Sequence, residues 1–313
     1  MVSADDVAVV IPVYNGVGIV DRCISALLRQ SRVPGETICV DDFSRDNTYE
    51  YIKRRFPNVT LVRNGFNMGA SGSYARGIRL ALSKGYRLIW LLDQDSLPLK
   101  NALEELLSFP LVEKSVLTSL SVCPLMNYLY LPLDFTCGLF NWRRGNLNYP
   151  REILTSTFNG MLLPRKIINS VGFPSARMRN ELGDFEFSTR IWLKGWRIIQ
   201  VPSSIVYHIG GKPRLVPKAT KGGFFKLSRT TRSIEYIHAE YIPVGSYSEE
   251  RYFERGKNTA LMLTSRIPNC AKVFMLRWII TTLAKIILLR GEYENYRKLR
   301  SYLRGILYGL IHY

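Results

Sequence analysis

Apolar and polar positions alternate along the first 95 residues in blocks that predict strands and helices in turn. Val7–Val13 is a continuous apolar run rich in β-branched residues, which is typical of a strand buried on both faces. In residues 19–28 the apolar positions recur at helical spacing and predict a helix. By the same criteria we predict strands over 36–41, 59–62 and 87–92, and helices over 48–56 and from the Gly-rich turn 67–72 to residue 84.

This alternation is typical of βαβ units and predicts an α/β fold with a mostly parallel sheet. Ligands of such sheets bind at the carboxyl ends of the strands. Polar clusters follow three of the predicted strands at that end, namely Tyr14-Asn15, Asp41-Asp42 and Asp93-Gln94-Asp95. The sequence therefore predicts a binding site at this edge of the sheet.

The pattern is less regular further along the chain. We expect loops and short strands in residues 110–155, which would form the wall of a cleft. Helices are predicted over 164–171 and 183–195, and short strands over 197–201 and 204–208. Residues 209–250 are rich in Lys, Arg, Gly and Ser and predict a mobile loop, followed by amphipathic helices.

The charge balance adds a constraint on partners. The chain has 43 Lys and Arg against 25 Asp and Glu, a formal net charge of +18. Residues 209–313 hold 19 of the basic and 7 of the acidic residues, so most of the excess lies in the last third. Such a surface favours nucleic acid, acidic lipid headgroups or phosphorylated small molecules.

Cysteine usage and the apolar runs indicate a cytosolic protein. The five cysteines are scattered without a CxxC pair, and most stand in apolar stretches, so we interpret them as reduced core residues. The N-terminus lacks the basic region of a signal peptide. The longest apolar run, 278–289, is about a dozen residues and contains Lys285, whereas a spanning helix needs roughly 20 apolar residues.

Asp93 and Asp95 are the strongest candidates for chemistry. Two carboxylates separated by one residue on a turn can converge on one Mg²⁺ or Mn²⁺ ion, which bridges carboxylates to diphosphate oxygens. The alternative is a solvated turn, because Asp is common after strands. The position directly after the apolar strand 87–92 favours a functional site.

Three later residues could complete such a site. Asp184 and Glu186 lie in the first turn of a predicted helix, where they could simply stabilise the helix dipole. A carboxylate there could also act as a general base. His208 ends a predicted strand, where an imidazole could be a metal ligand or a structural residue.

Seven short stretches carry a family resemblance. They are 10–15 (VIPVYN), 40–48 (VDDFSRDNT), 67–72 (NMGASG), 92–96 (LDQDS), 159–161 (NGM), 183–187 (GDFEF, with Arg190 and Gly195 beyond it) and 206–208 (VYH). In order and spacing they resemble a family-2 glycosyltransferase with the GT-A fold. The DQDS form and the segments 251–263 and 303–310 resemble the rhamnosyltransferase-like branch, which is itself similar to galactofuranosyltransferases.

The resemblance implies a Rossmann-like GT-A catalytic domain over 1–210, with nucleotide-sugar binding in about 1–110 and the acceptor half in about 111–210. Residues 211–313 would be a basic loop and an amphipathic helical extension. The implied nucleotide-sugar contacts are Pro12, Tyr14, Asn15, Asp41, Asp42, Asn67, Gly69, Asp93, Gln94 and Asp95. Asp42, with Asp41 as a second candidate, would bind the pyrimidine base. Asp93, Asp95 and His208 would hold Mg²⁺ or Mn²⁺.

The resemblance also implies an inverting displacement in which Asp184 is the general base. The family often has two adjacent acids where this chain has Gly183-Asp184, which leaves Asp184 as the base and makes Glu186, with Gly160, a candidate acceptor contact. The donor would be a nucleoside diphosphate sugar carrying rhamnose or another hexose. A glycan or lipid-linked acceptor in cell-surface polysaccharide or glycoconjugate synthesis is implied.

Three other functions fit the sequence less well. A nucleic-acid-binding protein would explain the charge, but no such motif is visible and the charge lies away from the predicted site. A nucleotidyltransferase would need a Gly-rich loop after the first strand, where this chain has residues 12–16 (PVYNG). A non-catalytic subunit or nucleotide-sugar-binding protein with this fold is a further alternative, disfavoured by the intact acidic set.

The basic C-terminal segment predicts contact with an anionic membrane surface. Residues 274–289 and 303–311 combine bulky apolar residues with nearby Arg and Lys, as interfacial helices do. The alternative is that these helices pack on the catalytic domain. We therefore expect a cytoplasmic protein, peripheral on the cytoplasmic face of the cell membrane.

Overall fold

A computed structural model of the chain describes residues 2–123, 128–129, 149–209, 213–217, 223–227, 234–238, 241–245, 248–264, 292–312 and single positions between 272 and 286. Several predicted features fall partly outside these residues. They include the cleft wall in 130–148, two of the five cysteines (Cys137 and Cys270) and most of the apolar segment 274–289.

The first part of the chain forms parallel strands with helices between them. The strands are β1 (Val7–Val13), β2 (Glu36–Asp41), β3 (Thr60–Arg63) and β4 (Leu88–Leu91), in the order β3-β2-β1-β4. The helices are α1 (Val20–Leu27), α2 (Thr48–Arg55) and α3 (Gly69–Ser83). These elements confirm the predicted blocks to within about two residues.

Both faces of this sheet are covered, which explains the unbroken apolar run of β1. Val7, Val9 and Ile11 pack into one core cluster, whereas Ala8 and Val10 pack into the cluster on the other face. Because successive side chains of a strand point to opposite faces, an unbroken apolar run means that neither face meets water.

The second half of the sheet mixes strand directions. The order continues from β4 through β9 (Met161–Pro164), β6 (Val116–Cys123) and β10 (Ile198–His208) to β5 (Ser96–Pro98). Strand β9 is antiparallel to both β4 and β6, whereas β6 and β10 are parallel. Strands β7 (Tyr128–Leu129) and β8 (Arg151–Ile153) add to β6 and β10, and the helices here are α4 (Ala102–Leu107), α5 (Arg165–Val171) and α6 (Gly183–Leu193).

Two predictions in this half were wrong. The irregular pattern of 110–155 hides the eight-residue strand β6, which lies inside the sheet. The two short strands predicted over 197–208 are one strand, β10, whose pairing with β6 shifts register between Val201 and Ile205. Residues 202–204, which include Pro202, have no partner on β6, so the strand continues although proline cannot donate a backbone hydrogen bond.

Residues 209–250 were predicted to be a loop, but they contain strands. Strand β11 (Pro213–Pro217) pairs with β14 (Tyr241–Gly245). In the sequence between these strands, β12 (Gly223–Leu227) pairs with β13 (Ile234–His238) as a separate sheet. Both pairs are antiparallel. Lys, Arg and Gly residues stand within and between these four short strands, so the sequence shows no clear alternation of apolar and polar positions.

Among the described C-terminal residues, two amphipathic helices are complete, and both agree with the predicted helical extension. Helix α7 (Glu249–Thr264) packs closely on α8 (Glu292–Ile311), and a Cβ atom on Gly309 would lie 2.8 Å from the Cβ of Ala260. Helix α7 also packs on the part of the chain that carries α6, since Met262 joins Met178 and Phe185 in one core cluster. Among the described residues, no helix has the length and apolar content needed to cross a bilayer.

Candidate functional site

The carboxyl ends of β1 and β4 lie side by side, and Gln94 connects the segments that leave them. The Tyr14 backbone N–H donates to Gln94 Oε1 at 2.9 Å, and Gln94 Nε2 donates to the Tyr14 carbonyl at 3.2 Å. The central residue of the Asp93-Gln94-Asp95 turn therefore fixes the predicted nucleotide-side segment against the turn. Both hydrogen bonds of the Gln94 amide are made to the Tyr14 backbone, and neither involves the carboxylate of Asp93 or Asp95.

Asp93, Asp95 and His208 come together at this edge of the sheet. His208 Nε2 lies 3.1 Å from Asp95 Oδ1 and 3.9 Å from Asp93 Oδ2, and one ligand atom from each residue lies within 4.8 Å of the others. The sheet produces this arrangement: β5 follows the turn directly and pairs antiparallel with β10, placing Ser96 opposite His208. The Ile209 N–H then donates to the Asp95 carbonyl at 2.9 Å.

The electrostatics of this cluster favour an added positive charge. Removal from water and the neighbouring charge of Asp95 raise the pKa of Asp93 above its ordinary value. Burial acts to lower the pKa of His208, but the hydrogen bond to Asp95 and the charges of Asp95 and Asp93 outweigh it, so the pKa is raised. Two carboxylates in close proximity favour the protonated imidazole or, equally, a cation between them.

The donor set fits a divalent cation. Carboxylate oxygens are preferred ligands of Mg²⁺ and Mn²⁺, and imidazole binds transition metals such as Mn²⁺. A second residue orients the first carboxylate: the Tyr74 hydroxyl, on α3, donates to Asp93 Oδ1 at 2.7 Å. Burial and the charge of Asp93 raise the pKa of Tyr74 well above its ordinary value, so its hydroxyl stays a donor. Hydrogen bonds of this kind hold metal ligands in place.

Asp42 organises the turn that opens α3. Its Oδ1 accepts from the Met68 N–H at 2.7 Å and from Asn64 Nδ2 at 2.8 Å, and its Oδ2 accepts from the Gly69 N–H at 2.8 Å. Gly69 has a φ of 76°, and a Cβ atom there would lie 2.7 Å from the Cα of Arg179. Both facts explain the glycine. The predicted contact of Asp42 with a base stays a prediction, and it would share a carboxylate that is already buried and bonded.

The other predicted nucleotide-side residues surround this turn. Asn67 Nδ2 donates to the Asp42 carbonyl at 3.3 Å. Asn15, with a φ of 46°, accepts from the Arg45 N–H at 2.9 Å. Asp41 is fully buried and forms a salt bridge with Arg63 at 3.2 Å, and its predicted contact with the nucleotide stays a prediction. Pro12 lies opposite Val40 in the sheet, just before Tyr14, which is exposed.

Asp184 stands second in helix α6 and has an unusual environment. Its Oδ1 accepts from the Phe185 N–H at 2.8 Å. Burial raises the pKa of its carboxyl, the Phe185 hydrogen bond opposes this, and the charges of Asp93 and Glu181 add to the increase, giving a pKa of about 7. A carboxyl that titrates near neutrality can accept a proton during a reaction and release it afterwards.

The two predicted acceptor contacts are engaged in structural interactions. Glu186 is bound by Arg190 one helical turn later, with N–O distances of 2.7 and 2.9 Å. Gly160 has a φ of 89° and connects β4 to β6, donating its N–H to Leu91 and accepting from the Ser119 N–H. These contacts explain both residues without an acceptor, and the acceptor contact stays a prediction.

The comparisons with known proteins agree with this fold. The model of the family "Glycosyl transferase family 2" matches residues 8–172, and the chain belongs to that family. Among particular proteins, it is 30% identical over 245 residues to the putative teichuronic acid biosynthesis glycosyltransferase TuaG of Bacillus subtilis, covering 74% of this chain and 89% of that one.

Two further similarities extend the comparison. Galactofuranosyltransferase GlfT1 of Mycolicibacterium smegmatis is 25% identical over 206 residues, which cover 62% of this chain and 68% of that one. The crystal structure of S. aureus TarS 1–349 in complex with UDP-GlcNAc superposes with a TM-score of 0.54 at 15% identity, covering 96% of this chain and 81% of that one. The protein is thus a glycosyltransferase with the GT-A fold.

Three residues near the site carry no signal in the sequence. The sequence predicts Tyr74 only as a core residue of α3, although its hydroxyl donates a hydrogen bond to Asp93. Glu181 and Arg251 are 70 positions apart, yet they form a salt bridge beside the helix that carries Asp184. Only the folded chain brings such pairs together, and no local pattern marks them.

Proposed function

We propose that the protein is an inverting, metal-dependent glycosyltransferase that uses a nucleoside diphosphate sugar. The convergence of Asp93, Asp95 and His208 carries this proposal, because the three offer ligand atoms within 4.8 Å of one another at the edge of the sheet where donors bind. Asp184 is close enough for the charge of Asp93 to raise its pKa.

In the proposed reaction, Asp184 accepts the proton of an acceptor hydroxyl while that oxygen attacks the anomeric carbon of the donor. The new C–O bond forms as the bond from the anomeric carbon to the diphosphate oxygen breaks, and the electron pair leaves with the diphosphate. Attack from the face opposite the leaving group inverts the configuration. A Mg²⁺ or Mn²⁺ ion held by Asp93, Asp95 and His208 would supply positive charge to the diphosphate.

The remaining site residues position these groups. Tyr74 fixes the Asp93 carboxylate, and Gln94 fixes the segment Tyr14-Asn15, which with Pro12 would line the nucleotide pocket. Asn67 and Gly69 shape the turn on the same side. We propose rhamnose or another hexose as the donor sugar and a glycan or lipid-linked molecule as the acceptor, in cell-surface polysaccharide or glycoconjugate synthesis. The names of TuaG and GlfT1 support this class of product.

A donor screen tests the proposal. Purified protein is incubated with a panel of uridine and thymidine diphosphate sugars, with Mn²⁺, Mg²⁺ or EDTA, and release of the nucleoside diphosphate is measured with and without membrane lipid extract as a source of acceptor. We expect one donor to be consumed in the presence of a divalent cation, with release abolished by EDTA. Donor binding without transfer to any acceptor would instead favour a nucleotide-sugar-binding protein.

We also propose that α8 contacts an anionic membrane surface. Its Leu303 and Leu307 side chains are exposed by 48% and 58%, and Leu310 continues the same stripe one turn later. Arg300 and Arg304 stand beside this stripe. The opposite side of α8 carries buried residues that pack on α7. An exposed apolar stripe flanked by arginines is the pattern of a helix that lies in a lipid interface.

Co-sedimentation with phosphatidylglycerol vesicles measures this contact. Wild-type protein should bind and be released by salt, because anionic headgroups attract the arginines. The double substitution Leu303→Glu/Leu307→Glu should lower binding at least tenfold. Leu28→Glu, at a position exposed by 54% directly after α1, is the matched control and should bind like wild type. Equal loss in the control, or unchanged binding in the double variant, would contradict the assignment of this face.

A further inference from the structure

Glu181 belongs to the loop that precedes Asp184, and its side chain is buried against helix α7. Arg255 donates to Glu181 Oε2 through Nε at 3.0 Å and through Nη2 at 2.9 Å, and Arg251 Nε donates to Oε1. The Glu181 side chain is 7% exposed. We call these three residues the Glu181 clamp. Two arginines on one buried carboxylate form a directional contact, because each guanidinium has a fixed arrangement of donors.

The backbone of the same loop is also bound to α7. Asn258 is fully buried, and its Nδ2 donates to the Met178 carbonyl at 2.8 Å and to the Glu181 carbonyl at 2.7 Å. One amide group thus bridges two carbonyls three residues apart in the loop. Together with the clamp, it fixes both the main chain and the side chain of Glu181.

The other side of the loop faces the predicted nucleotide-binding turn. The Ser71 N–H donates to the Arg179 carbonyl at 2.9 Å, and Arg179 Nη2 donates to Asn67 Oδ1 at 2.9 Å. Asn180 Oδ1 accepts from the Ala70 N–H at 2.9 Å. The loop 178–183 therefore lies between the donor side of the site and α7.

This loop holds two non-glycine residues in the left-handed region. Arg179 has a φ of 42° and Leu182 a φ of 60°. Such conformations persist where surrounding contacts enforce them, and they are frequent at functional sites. Leu182 directly precedes Gly183–Leu193, so its backbone sets the direction in which α6 begins and the place of Asp184.

We propose that Glu181 is a positioning residue for Asp184, and that α7 belongs to the catalytic site through the Glu181 clamp. The inference rests on the proposed function, since it concerns the geometry of the proposed base. It assigns a role in catalysis to a C-terminal segment that lies outside the residues matched by the family model.

The charged groups of the Glu181 clamp also affect the pKa values of site residues. The charges of Asp93 and Glu181 both raise the pKa of Asp184. Arg251 acts in the opposite direction on the metal-site residues, since its charge lowers the pKa of both Asp93 and His208. Removing the Glu181 charge should therefore alter the titration of the base as well as its position.

The test replaces Glu181 with glutamine in the full-length protein. We expect kcat to fall by about 10- to 100-fold, because small misplacement of a catalytic group costs rates of that order. The KM for the donor should stay within about threefold, and the acid limb of the pH–kcat/KM profile should move to lower pH. Glu249→Gln is the control, since it removes a carboxylate of helix α7 that pairs with Arg297 at 2.8 Å and is not part of the Glu181 clamp.

A second variant separates charge from geometry. Arg255→Lys keeps the positive charge but loses the two-donor contact. It should lower kcat while leaving the acid limb at its wild-type pH, because Glu181 retains its charge. A folded Glu181→Gln variant with wild-type kcat and an unmoved acid limb would overturn the proposal.

Hydrogen exchange tests the structural contact of the Glu181 clamp without requiring sugar transfer. Backbone amides of 178–184 should exchange faster in Glu181→Gln than in wild type or in Glu249→Gln. If wild-type protein transfers no sugar from any donor, the proposed function fails and the catalytic role of Glu181 fails with it. Faster exchange with unchanged kcat would show a purely structural contact and would also reject the positioning role.

Discussion

Replacing Asp184 with asparagine is expected to lower kcat by about 10² to 10⁴-fold, the range typical of a lost general base. Asparagine has nearly the same shape, and its Oδ1 can still accept from the Phe185 N–H that Asp184 binds at 2.8 Å. The donor dissociation constant should therefore change little. Steady-state transfer kinetics together with calorimetric titration of the donor would separate these two quantities.

The wild-type pH profile should carry the signature of the same carboxyl. Burial raises the pKa of Asp184 to about 7, so below that pH most of the protein holds a neutral carboxyl that accepts no proton. The value of kcat/KM should thus increase with pH up to about 7 and level off above it. In Asp184→Asn the residual rate should lack this limb.

A distant carboxylate serves as the control for Asp184. Glu113 is an exposed residue that forms a salt bridge with Arg87, and Glu113→Gln should leave transfer unchanged. Transfer by Asp184→Asn at wild-type rates would reject the base assignment. Loss of donor binding in that variant would point to a role for Asp184 on the donor side instead.

The N-terminal half of the fold could be predicted because its strands are apolar on both faces. Strand β6 could not, since it buries hydroxyl groups within the sheet. Thr118 bonds Ser156 at 2.7 Å, and Ser119 bonds Ser204 at 2.8 Å. Each polar side chain finds its partner in a segment far along the chain. A sequence shows the polar residue but not the partner that makes its burial tolerable.

The same distinction applies to the site. Asp93 and Asp95 follow a recognisable strand, and His208 ends another. The sequence alone therefore identifies all three as candidates. The antiparallel pairing of β5 with β10 brings the three side chains together. This pairing arises only in the folded sheet. Tyr74 and Glu181 act through hydrogen bonds to partners 19 and 70 or more positions away, and no spacing rule marks such residues.

Replacing Asp95 with asparagine should affect cation affinity more than any other single change at the site. The substitution removes a charged ligand and also the group that lies 3.1 Å from His208 Nε2. We expect Mn²⁺ affinity to fall by more than about 100-fold, since even outer-shell partners of metal ligands contribute 10- to 100-fold. Nucleoside diphosphate release at saturating donor should decrease by a similar or larger factor, because charge on the leaving group is then less well stabilised.

Tyr74→Phe provides a graded comparison for Asp95→Asn. It keeps all three proposed ligands and removes only the hydroxyl that donates to Asp93 Oδ1 at 2.7 Å. Mn²⁺ affinity, measured by electron paramagnetic resonance titration, should fall by about 10- to 100-fold, less than in Asp95→Asn. Excess Mn²⁺ should restore most activity to Tyr74→Phe and little to Asp95→Asn, because only the second variant lacks a ligand. Equal Mn²⁺ affinity in wild type and Asp95→Asn would mean that the three converging side chains serve a purpose other than holding a cation.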